Sequence, residues 1–393
     1  MINERMLALG KEPSAIRKLY AHGLRRKAEV GEENVFDLSI GNPSIPAPDG
    51  VRARIEELLE EPPSALHGYT MAAGDMRVRR AVADNLSRRF GIEAKPEQVY
   101  LTAGATAALS ISIAATTNPG DEVIVNAPYF PEYKVMIETA RCTCVEVMAH
   151  VPDFQLDIEA LAQAVTPKTA AVIVNSPNNP VGTVYTRENI EALAALLEAR
   201  EQEYGHPIYL ISDEPYREIT YGAEVAFTAL HYRDTIVCYS WAKSLSLPGE
   251  RIGYVYVSDR MSDASEVSAA VAGAGRALGF ICAPATYQRV IETCIDLPTD
   301  VEAYAHNRRL LTEGLSRLGY DYVEPDGAFY LWVRALEDDA QSFSDRAKEH
   351  DLLVVPSDSF GCAGWVRCSY CVSPETVEGS LRAWEALKAD YAG

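Results

Sequence analysis

The sequence predicts an α/β protein, with a large domain built on a mostly parallel sheet sandwiched by helices and a smaller α+β domain beside it. Three observations carry that expectation. Short β-rich runs alternate with helix-like stretches between about residues 98 and 257, the pattern of a sheet covered on both faces. The regular alternation stops after about Ala285, where one long helix-like stretch is followed by strands and helices in a different order. The length, 393 residues, suits two or three units at roughly 150 residues each.

The elements follow in chain order. The segment up to about Val35 is charged and helix-prone, and Gly41-Asn42-Pro43 with the Pro46 to Gly50 run forms a break. Strands are expected at 98–101, 122–125, 143–147, 170–174, 208–211, 235–239 and 251–257. Helices are expected between them at 105–116, 131–139, 157–164 and 187–201. Beyond residue 285 a helix is expected over 303–318, with strands at 320–323, 329–333 and 366–370. The predicted division is a large domain of residues 45–285 and a small domain of residues 1–44 and 286–393.

Composition narrows the function. A hydrophobic fraction of 48% allows a sizeable core, and a net charge of −20 repels phosphate backbones and anionic membranes. Neither nucleic acid nor a membrane is therefore expected as a partner. No apolar run approaches about 18 residues, and the first residues lack a secretory apolar stretch, so a cytoplasmic location is expected. The eight cysteines are then expected to be reduced. Cys368 and Cys371 form a C-x-x-C within an apparent strand, where positions i and i+3 face opposite sides. No metal is expected there.

Four loops carry the chemistry, each at the end of an expected strand, where open α/β sheets bind ligands. Leu101-Thr102-Ala103-Gly104-Ala105-Thr106 is a small-residue turn into a helix and suits an anion, although such turns also serve plain tight packing. Asn175-Ser176-Pro177-Asn178-Asn179-Pro180-Val181-Gly182 reads on its own as a turn. Ser212-Asp213-Glu214-Pro215-Tyr216 reads as a loop start with a capping Asp. Ser240-Trp241-Ala242-Lys243-Ser244 leads on to Gly249-Glu250-Arg251-Ile252-Gly253-Tyr254. A lysine so close to a strand is usually a surface residue. Desolvated, it becomes a neutral amine able to condense with a carbonyl.

Taken in order, these segments resemble the fold-type I, class I/II aminotransferases, such as aspartate aminotransferase, which depend on pyridoxal 5′-phosphate. The resemblance runs from about Val35 to the C-terminal helix. S-W-A-K-S-L-S-L-P-G-E-R-I-G-Y is similar to that family's cofactor-lysine segment, and N-S-P-N-N-P-V-G to its N-P-x-N-P-T-G, with a Ser inserted and Val in place of Thr. D-E-P-Y is similar to its D-E-x-Y, and V-R-C-S-Y to its substrate-arginine segment.

The resemblance implies a role for each residue. Lys243 would hold the cofactor as a Schiff base and move the substrate Cα proton. Asp213 would keep the pyridine nitrogen protonated, and Asn179 and Tyr216 would bond the phenolic oxygen. Arg251, Ser240 and the Gly104-Ala105-Thr106 turn would bind the phosphate. Tyr129 would stack on the ring, and Tyr69 would reach the phosphate of a neighbouring subunit in a homodimer. Arg367 would clamp the substrate α-carboxylate, with Asn179 beside it and Gly41 allowing close approach. Their plainer roles are a core aromatic for Tyr129, a surface aromatic for Tyr69 and a salt-bridged strand arginine for Arg367.

The activity implied is transfer of an amino group from an L-amino acid to a 2-oxo acid, 2-oxoglutarate being the expected acceptor. A pyridoxal-phosphate carbon–sulfur or other lyase on the same fold would use nearly the same residues. A pyridoxal-phosphate-dependent regulator would need a DNA-binding segment, for which there is no room before Val35 and the wrong charge. The glycine-rich Gly273 to Gly279 run follows a helix-like stretch and lacks dinucleotide spacing. Within it, the family resemblance makes Arg276 a candidate for meeting a second substrate carboxylate, as an arginine in that general region does in dicarboxylate-specific relatives.

Overall fold

The computed structural model describes residues 2–392, whose strands form three sheets. After β1 (Phe36–Asp37), seven strands make the large sheet: β2 (Val99–Thr102), β3 (Glu122–Ala127), β4 (Thr143–Met148), β5 (Thr169–Asn175), β6 (Tyr209–Asp213), β7 (Thr235–Ser240) and β8 (Gly253–Val257). Their order is β2-β8-β7-β6-β5-β3-β4. The central strands read as continuous apolar runs because helices cover both faces. T-I-V-C-Y-S of β7 and G-Y-V-Y-V of β8 are buried throughout.

The expected mostly parallel sheet is borne out, with one reversed strand. The pairs from β4 through β7 are parallel, while β8 runs antiparallel to both β7 and β2. Register sets Asn175 opposite Asp213, and both Ser240 and Thr102 opposite Gly253. The carboxyl ends of β2, β5, β6 and β7 therefore open on one edge.

The helix Gly104–Thr116 follows β2 directly. Its sequence G-A-T-A-A-L-S-I-S-I-A-A-T is apolar nearly all round, as befits a helix packed between the sheet and another helix. Ala103 at its N-cap offers no side-chain acceptor, so the first-turn N–H groups keep their capacity to bind an anion.

Four further strands and their partners complete the chain: β9 (Tyr322–Val323), β10 (Tyr330–Arg334), β11 (Leu352–Leu353), β12 (Val355–Pro356) and β13 (Trp365–Ser369). An antiparallel sheet has the order β12-β13-β10-β9, and β1 pairs in parallel with β11. The N-terminal helix Ala15–Val30 lies against this part. Leu19 and Val35 pack with Trp332, Leu353 and Phe360, and Arg26 pairs with Asp351 at 2.6 Å.

The departures from expectation are local. Tyr320 is not in a strand; its ring is buried and its hydroxyl donates to the Trp384 carbonyl at 3.0 Å. β1, β11 and β12 have two residues each, too short for any periodicity to register. β13 stops at Ser369, so Cys371 lies beyond the strand and the face argument applied to the C-x-x-C does not hold there. Among the described residues no helix is long and apolar enough to cross a membrane, and no three His, Cys, Asp or Glu side chains gather as a metal site.

Candidate active site

A cavity of about 250 Å³ opens at the shared strand edge. Its lining includes ten of the thirteen predicted site residues: Gly41, Ala105, Thr106, Asn179, Asp213, Tyr216, Ser240, Lys243, Arg251 and Arg367. Three lining side chains are cationic and one is acidic, in a chain of net charge −20. That inversion marks a site for anionic ligands.

Lys243 stands in the short helix Trp241–Ser244, whose N-cap Ser240 accepts from the Ala242 N–H at 3.1 Å. Its Nζ donates to the Gly41 carbonyl at 2.5 Å. Burial pulls the amine down to about 8; the Cys371 thiol opposes this, and Arg367 and Arg251 add to it. Only the neutral amine attacks an aldehyde. Condensation of the apoprotein with pyridoxal phosphate should therefore accelerate as pH rises, with a midpoint near 8. Stopped-flow absorbance across pH 6–11 measures this, and a midpoint near the ordinary lysine value of 10.5 would show that Lys243 is solvated.

Asp213 ends β6. Its Oδ2 accepts from the Tyr133 hydroxyl at 2.5 Å, while its Oδ1 is buried without any partner. Burial raises its carboxyl to about 7, against the opposing pull of the Tyr133 hydrogen bond. A buried carboxylate with one orphaned oxygen calls for a cationic donor in the cavity, and a protonated ring nitrogen fits. Tyr133 was not expected here. Its signal in the sequence is the second Tyr of Y-F-P-E-Y, one helical turn past the loop.

Arg367 on β13 is 2% exposed. Nη1 donates to Asn179 Oδ1 at 3.0 Å and Nη2 to the Ser39 carbonyl at 2.6 Å, whereas Nε has no partner. Among the described residues no carboxylate is paired with it, so the salt-bridged-strand role is set aside. A buried guanidinium without a counter-ion is incomplete until an anion arrives.

Arg251 lies at the other end. It adopts φ 51°, and its Nη1 donates to the Pro248 carbonyl at 3.0 Å. Gly104 is not part of the cavity wall but shapes it from behind: at φ +78°, a Cβ there would sit 2.5 Å from Arg251 Nη2. Only glycine admits that approach. Arg251, Ala105, Thr106 and the uncapped helix start form a cradle suited to a phosphate dianion. Ser240 is nearer to a scaffold than expected, since its hydroxyl donates to the Ile252 carbonyl at 3.1 Å while capping Ala242.

One expectation is corrected, and another concerns a residue that does not line this chain's own cavity. Tyr129 does not face the cavity; it is buried in the core beside Gly361 and its neighbour Phe130 lines the wall instead. The two positions adjoin in a loop where no periodicity says which side chain turns inward. Tyr69 is 99% exposed and remote from this chain's own cavity. Arg276 is also outside the lining, in the last turn of the helix Ala264–Leu278. Asn175, Phe130 and Tyr330 line the cavity without having been singled out.

Comparison with known proteins gives a consistent picture. Residues 33–383 match the family described as "Aminotransferase class I and II". The aspartate/prephenate aminotransferase of Thermus thermophilus is 33% identical over 382 residues, covering 94% of each chain. The aspartate aminotransferase of Thermotoga maritima is 31% identical over 356 residues, covering 89% of this chain and 90% of that one. Among solved structures, an aminotransferase from Eubacterium rectale superposes with a TM-score of 0.97 at 51% identity over the whole of both chains. The Thermus thermophilus aspartate aminotransferase with maleate superposes at 0.87 with 31% identity, covering 98% of this chain and 99% of that one.

Proposed function

We propose, from the premise that the chain belongs to the class I and II aminotransferase family and is an aminotransferase of fold type I, that its cofactor is pyridoxal 5′-phosphate held on Lys243. The observation that carries this reading is that Asp213, with its orphaned Oδ1, lines the same cavity as the desolvated Lys243 and the unpaired Arg367.

Bound there, the cofactor would supply an electron sink for the pair left behind when the substrate Cα proton departs. The chain's own residues do the rest. Arg251, Ala105, Thr106 and the helix start anchor the phosphate. Asp213 pairs with the ring nitrogen, held in place by Tyr133. Tyr216 and Asn179 bond the phenolic oxygen, and Phe130 covers the ring face. Arg367 would fix the α-carboxylate so that the Cα–H lies within reach of Lys243, whose neutral amine would take that proton and, as the ammonium, give it back.

The donor is an L-amino acid and the acceptor a 2-oxo acid, 2-oxoglutarate in our reading. A panel of amino donors with 2-oxoglutarate, scored by glutamate and the new oxo acid, tests it. Pyruvate and ammonia released from cysteine-type donors without any acceptor would identify a lyase instead.

The active form is a homodimer, with large (45–285) and small (1–44, 286–393) domains in each subunit and a cytoplasmic location. Tyr69 belongs to an exposed apolar surface with Met71, Phe280 and Ile281, the two segments being joined by the Cys282 N–H to Ala72 carbonyl bond at 3.1 Å. Such a surface suits burial by a second copy, from which Tyr69 reaches the partner's phosphate. Sedimentation should give a dimer; a fully active monomer at assay concentration would remove Tyr69 from the site.

A further inference from the structure

Two phenols meet at the cavity from opposite sheets. Tyr216 follows β6 of the large sheet, and Tyr330 opens β10 of the antiparallel one. Both are buried, and their hydroxyls lie 2.9 Å apart. Each hydroxyl has a single proton, so one of the two donates and the other accepts.

Arg367 decides which. Its guanidinium carbon lies 4.6 Å from the centre of the Tyr330 ring. A cation on the face of a phenol stabilises the phenolate and makes that phenol the better donor. Tyr216 has a more distant cation over its ring, Lys243 Nζ at 5.9 Å from the centre; Arg367 acts on it too, but so does the opposing carboxylate of Asp213. The titration directions agree. Burial raises both phenols, but Arg367 holds Tyr330 back to about 12, while burial and then Tyr330 keep Tyr216 well above the ordinary value. Gly41 closes the remaining side, since a Cβ there would overlap the Tyr330 hydroxyl. The hydroxyl is thus walled in on Tyr216.

We propose that Tyr330 is a positioning residue: it donates its hydroxyl proton to Tyr216, and so leaves the Tyr216 proton free to point into the cavity at the cofactor's phenolic oxygen. This rests on the cofactor reading above. The small-sheet strand β10 thereby sets the orientation of a cofactor contact on the large sheet. The charged and titratable groups facing the pair are Arg367, Lys243, Asp213, Cys371 and Tyr133, and Tyr330→Phe leaves all of them, and the ring under Arg367, in place.

The test is a pH titration of the bound cofactor's absorbance in the holoenzyme. A hydrogen bond to the phenolic oxygen favours its ionised form, so weakening that bond moves the midpoint upward. In Tyr330→Phe we expect a rise of about 0.5 to 1 pH unit, with donor KM changed less than about twofold because the stack on Arg367 survives. In a Tyr216→Phe background, Tyr330→Phe should add no further shift. An unmoved midpoint in Tyr330→Phe, or an equal shift with and without Tyr216, overturns the proposal. A wild-type protein with no titrating absorbance band overturns the cofactor reading beneath it.

Discussion

Lys243→Ala is expected to reduce kcat/KM by at least about 10³-fold with every amino donor, since positioned proton transfer alone is worth roughly 10²–10⁴. The variant loses both the covalent hold on the cofactor and the group that moves the Cα proton. It should still bind pyridoxal phosphate, because Arg251, the helix start at Gly104 and Asp213 are untouched. The bound cofactor should then exchange with free cofactor. Borohydride gives a direct check on the wild type: it should fix one pyridoxyl group on one lysine, located by mass mapping. Label on any other lysine, or turnover within tenfold of wild type in Lys243→Ala, would remove Lys243 from the centre of the chemistry.

Arg367→Lys is expected to lower kcat/KM for all donors alike by about 10- to 1,000-fold, the equivalent of damaging a charge-assisted bidentate contact worth about 1.5–4 kcal/mol. The charge is retained but the planar fork is lost. In the native site that fork is already spread between Asn179 Oδ1 and the Ser39 carbonyl, with Nε left over. An ammonium, a compact charge with its three N–H bonds splayed, cannot meet a carboxylate with two parallel N–H bonds while keeping those two acceptors. Cofactor binding and borohydride labelling should be unchanged, which separates a substrate defect from a general one. Were Arg367 merely structural, kcat/KM per folded protein would stay near wild type, and that result would leave the α-carboxylate without its anchor.

Much of this site was legible in the sequence because its residues come from loops whose order along the chain is distinctive. Asn179, Asp213 and the Lys243 to Arg251 segment lie apart in number, yet the parallel register brings four strand ends to one edge, as the alternation of strands and helices implies; Arg367 joins them from β13 of the antiparallel sheet. What was not legible depended on side-chain direction within a loop. Tyr129 and Phe130 are neighbours, and only the packing of Tyr129 against Gly361 turns Phe130 inward. Tyr133 reaches Asp213 because its helix begins after Pro131, a detail of capping. The Tyr216–Tyr330 contact joins residues 114 positions apart across two sheets, which no local pattern encodes. The two-residue strands β1, β11 and β12 were not anticipated because a period needs more residues than they contain.

The reversed strand β8 has a consequence of its own. Had every strand of the large sheet run the same way, the chain leaving β7 would have crossed over through a helix before returning. It turns back through the short helix Trp241–Ser244 and a 3-10 turn instead, and the segment between Ser240 and its partner Gly253 carries both Lys243 and Arg251. One hairpin thus acts as a gauge whose two jaws are a nucleophilic amine and a guanidinium, with the span between them fixed by covalent chain rather than by the docking of separate parts. The spacing of the amine and the guanidinium proposed to hold one ligand is therefore independent of how the antiparallel sheet, which carries Arg367, packs against the large one.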